Sequence, residues 1–308
     1  MPNPNTSYDQ ITAITEKFYV PKLEDAIFKA VPLLQRMQKQ KELVDGGTQV
    51  LVPLNYAQAS NVGWYSGADS LDNTDNDSIT SASFDWKQIY AAITISKLDE
   101  LKNSGQAAKL NFVKSKMQIA EKSMKDQVAV GLWNAGTTTN AILGLRSFLS
   151  TSTTYGGISQ TSYSWWAANI DASTTTNSIA KMEELHASIA LNGESPTVVL
   201  GGSGRFTSYY NLLQPQQRFM DSGSAKGGFQ SLMFNGVPFL MDSKAPSTHL
   251  EMLNEGYLKL LIHKDENFKL DPFAKPVSQN VRIAHIFATM VFASSNNRMH
   301  GALTALTA

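Results

Sequence analysis

The side chains that could bind a metal or move a proton are scattered along the chain. The five histidines are His186, His249, His263, His285 and His300, and none forms the HExxH spacing that puts two imidazoles on one helix face for zinc. Cysteine is absent, which removes thiolate metal sites, cysteine nucleophiles and disulfides together. The stretch GGSGR at 201–205 has Arg205 where a nucleophile elbow needs glycine. It also lacks the Lys-Ser/Thr pair of a phosphate loop, and Thr207 stands where a dinucleotide fingerprint has its third glycine. It reads as a strand-to-helix turn. Asp72, Asp75 and Asp77 in LDNTDNDS have part of a calcium-loop spacing, without its glycine or its closing glutamate. No catalytic, cofactor-binding or metal-binding residue is assigned, and no cofactor is expected.

Aromatic chemistry is what remains. TTYGGISQTSYSWW at 153–166 sets Trp165 and Trp166 side by side in a polar segment, and Trp64 with Tyr65 lies in another. Exposed tryptophans flanked by serine and threonine could line a sugar. Buried ones fix one stretch of chain against another, and burying a Trp removes about 200 Å² from water, worth about 5 kcal/mol at 25 cal/mol per Å². The expectation is that Trp165, Trp166 or both pack at the junction of the preceding helix with the middle of the chain, or at a subunit contact. A glycan-binding role is the second reading.

The elements that would position these residues follow from periodicity. A helical pattern covers 21–41, with Pro32 expected to kink it. Residues 48–56 alternate like an edge strand carrying Pro53, and 84–96 like a better one. Between them, 57–83 is long and acidic, with Asp69, Asp72, Asp75, Asp77 and no basic residue. A connection of that length inside a compact domain tends to be functional or disordered, and a two-stranded arm alone is marginal in water, so this one is expected to lie on something else. Apolar residues stepping by three and four from Leu110 to Leu132 predict a helix over 104–134, capped by Ser104 and stopped by Gly136. Its lysines include Lys109 and Lys116. Such charges ordinarily form a solvated face, but they could receive an acidic arm. A second helix is predicted over 176–192, a buried strand at 195–202, a helix at 206–213, a hairpin turning at Asn235-Gly236, and strands at 257–263 and 277–293. That order is α+β rather than a βαβ repeat.

The chain has 308 residues, with 26 basic and 26 acidic side chains and no net charge. That balance argues against a protein whose main task is gripping nucleic acid. The first residues carry no basic start and no apolar segment of a secretory leader, and the longest apolar run, IFATMVFA, is far too short to span a bilayer.

The stretch at 226–263 resembles one found in the major capsid proteins of tailed double-stranded DNA bacteriophages. Its hairpin at Gly236, Val237 and Pro238 is followed by an aspartate and then a turn at Leu253 and Asn254. The end, PVSQNVRIAHIFATMVFASSNNRMHGALT, is similar to their closing strand, Asn-Arg turn and terminal Gly301, Leu303 and Thr304. Gly156, Gly157, Ile158, Trp165 and Trp166 resemble a signature that follows the long helix in some of these proteins. Encapsulins share the fold.

The resemblance implies an N-terminal arm at 1–46, an extended β loop at 47–96, and a peripheral domain with a spine helix at 97–149 and 266–308. Residues 150–265 would form mostly an axial domain. It implies a non-enzymatic subunit that assembles with itself into hexamers and pentamers of an icosahedral head, enclosing double-stranded DNA without reading it. Such a protein belongs to the virion and is assembled in the host bacterial cytoplasm, free of membranes. A scaffolding protein and a portal would be its partners, and a decoration protein could bind outside. Some relatives cross-link through a lysine in the extended loop; 57–86 has no lysine, so no such bond is expected. Others carry a long N-terminal scaffolding region; the arm here is short, which implies separate scaffolding or none. Candidate subunit contacts are Trp64, Tyr65, Asp69, Asp72, Asp75, Asp77, Lys109, Lys116, Trp165 and Trp166. The rival readings are an encapsulin-like shell around protein cargo and a carbohydrate-binding adhesin built on Trp64, Trp165 and Trp166.

Overall fold

A computed structural model describes residues 31–98, 112–173, 176–191, 193–217 and 232–307. Its first helix, α1 (Pro32–Lys39), begins at the proline expected to kink a longer one. At the first helical position the missing N–H has no intrahelical partner to lose, and the ring presets φ. The part of that predicted helix before Val31 lies outside the described residues. Strand β1 (Glu42–Val44) follows, and then β2 (Val50–Asn55) and β3 (Ile79–Phe84) pair as an antiparallel ribbon, Val50 opposite Phe84 and Asn55 opposite Ile79. Val50, Val52 and Leu54 are buried while the residues between them are exposed. Both strands of a two-stranded ribbon are edges, which is why Pro53 is accommodated.

The single strand expected over 84–96 is two. It breaks at Asp85 and Trp86, where the chain leaves the ribbon and enters a different sheet as β4 (Lys87–Ser96). Trp86 pins the break by donating from Nε1 to the Gly47 carbonyl at 3.0 Å. The long helix is described as α2 (Phe112–Leu132), about 32 Å at 1.5 Å per residue. Met124, Val128, Ala129 and Leu132 form its buried stripe. Ser104, its expected cap, lies outside the described residues. Gly136 is not its stop. The helix tightens shut earlier, with Trp133 N–H donating to Val130 O and Asn134 N–H to Gly131 O. The returning chain then crosses the helix end at Gly144, where an added Cβ would stand 2.4 Å from Gly131 O and 2.5 Å from Asn134 N.

After the short helix α3 (Leu145–Phe148), the small strands β5 (Thr154–Tyr155) and β6 (Ile158–Ser159) pair around Gly156-Gly157. Strand β7 (Asn169–Asp171) leads to α4 (Ile179–Ile189), shorter than predicted because Ser178 caps it by accepting from Lys181 N–H. Strand β8 (Val198–Gly201) turns through GGSGR into α5 (Ser203–Gln217), longer than the pattern suggested. The hairpin of β9 (Leu232–Phe234) and β10 (Val237–Met241) turns at Asn235 and Gly236, both at positive φ (48° and 79°) as a type I′ turn needs. The remaining strands are β11 (Leu250–Leu253), β12 (Leu258–His263), β13 (Lys269–Leu270), β14 (Val281–Ser294) and β15 (Gly301–Leu303).

Two sheets organise the chain. In the first, β14 pairs with β4 along one edge and with β12 and β13 along the other, and β1 adds to β12. Helix α2 packs on this sheet at β4 and β14. The second runs β7-β15-β11-β8-β10-β9, with α4 and α5 packed against it. The sheets exchange strands across the division expected near residue 265, since β12 belongs with β14 while the terminal β15 sits in the second sheet between β7 and β11. One core gathers α1, α2, the ribbon base and the first sheet; a smaller one gathers Met182, Leu185, Ile189, Phe239, Leu250 and Met252.

The closure at Gly144 gives a direct test. Gly144→Ala should lower stability by about 3 kcal/mol, because the methyl meets rigid backbone rather than a side chain that can turn away. Gly204→Ala in α5, where nothing lies within 4 Å, should leave the urea midpoint unchanged or slightly raised.

Candidate subunit-interaction surface

The ribbon continues beyond its strands through polar rungs. Tyr56 Oη donates to Asp77 O at 2.6 Å, Ser60 Oγ to Asn76 Oδ1 at 2.7 Å and Asn61 Nδ2 to Thr74 O at 3.0 Å. At the tip, Asp69 Oδ2 accepts from Ser66 N–H at 2.9 Å. Asp72 accepts from both the hydroxyl and the N–H of Thr74, and these bonds, the hydroxyl first, hold its carboxyl below the usual range. Asp69, Asp72, Asp75 and Asp77 are all exposed. On the same loop Val62, Trp64, Tyr65 and Leu71 are also exposed, Trp64 completely. The loop therefore exposes apolar and acidic side chains together, and its buried residues belong to the ribbon strands at its base.

The tryptophan pair divides its work. Trp166 is 1% exposed, stacks on Tyr155 at 6.0 Å and donates from Nε1 to Tyr155 O at 3.0 Å. Tyr155 is itself buried against Phe84 and Phe148, and its hydroxyl accepts from Ser294 N–H at the end of β14. Burial pushes the Tyr155 phenol up in pKa, so it stays protonated. Trp165 is half-buried and stacks on Tyr56 at the root of the acidic loop, 5.3 Å away. The two indoles are tilted by 52° and do not form a flat platform. Gly156 makes the approach possible: a Cβ there would lie 2.7 Å from Ala82 Cβ on β3.

The candidate lysines part company. Lys116 is half-buried on α2 and its Nζ donates to Thr94 O on β4 at 3.3 Å, so it braces its own helix against the sheet. Lys109 lies outside the described residues.

Several important groups escaped sequence reasoning because their partners are far away along the chain. Asp242, after β10, accepts from Leu33 N–H at the start of α1 at 3.5 Å and from Lys244 N–H at 2.8 Å. Burial raises its carboxyl pKa, and these two donors oppose that shift. Arg36 on α1 pairs with Glu255 at 2.5 Å, and Glu255 also accepts from Thr197 Oγ1. Glu251 is wholly buried in β11, its nearest charge partner His249 Nδ1 at 3.5 Å, and burial raises its pKa. His300, also wholly buried, accepts from Asn254 N–H through Nδ1 at 3.2 Å; desolvation drives it from 6.5 to about 3. The sequence cue that was available was the type of residue, a charged or polar side chain, and not its role.

A groove of about 710 Å³ opens between β4, the C-terminal end of α2 and the 137–142 turn, with Lys87, Arg146 and Lys244 among its lining side chains. Lys244 is paired with Asp126 at 2.8 Å.

No protein-family description matches the chain, and no curated protein matches it in sequence. By structure it is similar to the capsid asymmetric unit of cyanophage A-1(L), at 18% identity and a TM-score of 0.74, over 96% of this chain and 98% of that one. It is similar to the capsid of Myoviridae phage XM1 at 12% identity and a TM-score of 0.62, over 94% and 97% of the two chains. An encapsulin complex from Synechococcus elongatus matches at 9% identity and a TM-score of 0.62, over 97% and 96%. The chain therefore has the phage capsid fold, α+β with a protruding β loop and a long helix, and an encapsulin shares it.

Two outcomes follow for the purified chain. Trp166→Ala should cost about 3–5 kcal/mol in urea unfolding, and Trp64→Ala less than about 0.5 kcal/mol. The pH dependence has a definite sign. His300 contributes fully above its ordinary 6.5 and loses that contribution as the pH falls toward 3, at about 1.4 kcal/mol per unit. Glu251 runs the other way: its raised carboxyl contributes below 4.5 and weakens the fold as the pH rises. Immediately above 4.5 the two slopes oppose; below 4.5 only that of His300 remains of the two. His300→Gln should therefore flatten the fall in urea midpoint below pH 4.5 relative to the unaltered chain.

Proposed function

We propose that this chain is a major capsid protein: a structural, non-enzymatic subunit that assembles with itself into the hexamers and pentamers of an icosahedral phage head around double-stranded DNA. The observation that carries this reading is the capsid fold across nearly the whole chain, at 96% coverage and a TM-score of 0.74. In this reading α2 is the spine of a peripheral domain, the ribbon is the extended loop, and the second sheet forms most of the axial domain. A shell encloses its genome without gripping it, which suits a net charge of zero. A scaffolding protein, a portal and a decoration protein are the further partners such a head would use. The shell would belong to the virion and form in the host bacterial cytoplasm.

A second reading keeps the fold and changes the contents. The similarity to an encapsulin supports a protein-filled compartment, at a lower TM-score than the cyanophage capsid. The adhesin reading has little left to stand on, because Trp166 is buried and Trp165 is stacked on Tyr56. Only Trp64 of the three is free to meet a ligand.

Electron microscopy and sedimentation of the purified chain at rising concentration test the reading. Shells, tubes or discrete hexamers are expected; a monomer at every concentration, with and without a co-expressed scaffolding protein, would sink it. Nucleic acid inside native particles, rather than protein cargo, separates head from compartment. Because 57–86 contains no lysine, boiled particles should run on a denaturing gel as one band near 33.7 kDa rather than a ladder.

A further inference from the structure

We propose that Asn235 is a gated modification site: a point of spontaneous deamidation held shut in the folded chain by its own type I′ turn and by Glu183. The inference stands on the β9–β10 hairpin alone and does not depend on the capsid reading.

The chemistry needs only the pair and water. Gly236 has no side chain to shield its backbone nitrogen, which can attack Cγ of Asn235. The N–Cγ bond forms, the Cγ–Nδ2 bond breaks, and ammonia leaves with the proton of the Gly236 amide. The product is a five-membered succinimide. Water opens the ring at either carbonyl, giving aspartate, or isoaspartate with the backbone running through Cβ and Cγ. The net change is one water taken up and one ammonia released. Both residues are exposed, and a Cβ added at Gly236 would meet nothing within 4 Å, so no neighbour crowds the reacting pair there.

The fold opposes the first step twice. The ring closes only when the Cα–Cβ bond of Asn235 and the C–N bond to Gly236 lie on the same side of the Cα–C bond. Asn235 and Gly236 have φ of 48° and 79°. The first central residue of such a turn has ψ of about +30°, the mirror of type I. That sets the Gly236 nitrogen nearly anti to Cβ, so ring closure requires a ψ rotation that breaks the turn. Glu183 on α4 is the second restraint. Asn235 Nδ2 donates to its Oε2 at 2.8 Å, which ties the hairpin tip to the helix and fixes the carboxamide. The strand beneath is anchored as well. Phe234 stands edge-on to His186 and Tyr209, with ring centroids 6.0 and 6.1 Å away, and Tyr209 Oη donates to Met233 O at 2.8 Å. Yet β9 is a three-residue edge strand, so the hairpin can open locally without unfolding the sheet. Conversion is self-reinforcing: it replaces the amide donor with a carboxylate facing Glu183, and isoaspartate adds a backbone methylene to a tight turn.

The test follows the full chain at mildly alkaline pH, folded and in urea, by mass spectrometry of the peptide that carries Asn235. A second Asn-Gly pair, at 192–193, is the reference, and in urea the two should convert at similar rates. In the folded chain Asn235 should convert at least about tenfold more slowly than in urea, because the hairpin must open first. Glu183→Ala should raise the folded rate about three- to fivefold, the worth of one side-chain hydrogen bond. Glu183→Gln keeps an oxygen acceptor and should stay near the unaltered rate. Glu184→Ala, whose side chain pairs with Lys181 instead, should leave the rate unchanged. Position 183 is exposed, so both of its variants should keep the urea midpoint, which separates release of the side chain from general unfolding. A folded rate equal to the rate in urea would overturn the gate. Equal rates for Glu183→Ala and Glu184→Ala would overturn the part assigned to Glu183.

Discussion

Strand β14 is the member on which the rest depends. Its fourteen residues are paired on both edges, with β4 from Val281 to Met290 and with β12 from Met290 to Ser294. A strand so held has little freedom to slip, since a one-residue shift would turn its buried Ala284, Ile286 and Ala288 outward. The acidic ribbon hangs from this strand through β4, and α2 lies across the same pair. The loop is thereby rooted, through β4, in a strand that is paired on both edges.

The second joint is aromatic. Tyr155, Trp166, Phe148 and His300 pack around the end of β14, and the Tyr155 hydroxyl takes the Ser294 N–H. Through Gly156 the same cluster touches the ribbon at Ala82 and Phe84. The first sheet, the ribbon and the segment leading to the second sheet therefore meet at one buried point. Asp242, after β10, and Glu255, between β11 and β12, tie α1 to the connections of both sheets.

The order of residues was enough for whatever periodicity and turn chemistry can carry. The buried stripe of α2, the alternation of β2, the type I′ turn at Asn235-Gly236 and the turn at GGSGR are local, so the residues that make them lie close together in the chain. The acidic loop was legible as well, because a stretch of that length with neither core nor positive charge has few places to go. The rest was settled by folding, and in each case the deciding partner is distant in sequence. Phe84 ends a strand because the chain changes sheets at Trp86. The last turn of α2 is closed off by Gly144 rather than Gly136, because the returning chain crosses there. Trp166 became a joint and Trp165 a brace only once Tyr155 and Tyr56 were beside them. Lys116 was bound to its own sheet by Thr94, which no spacing on the helix could reveal. Burial, ion pairing and groove shape are sums over residues that meet only when the chain is folded, and a linear pattern does not contain them.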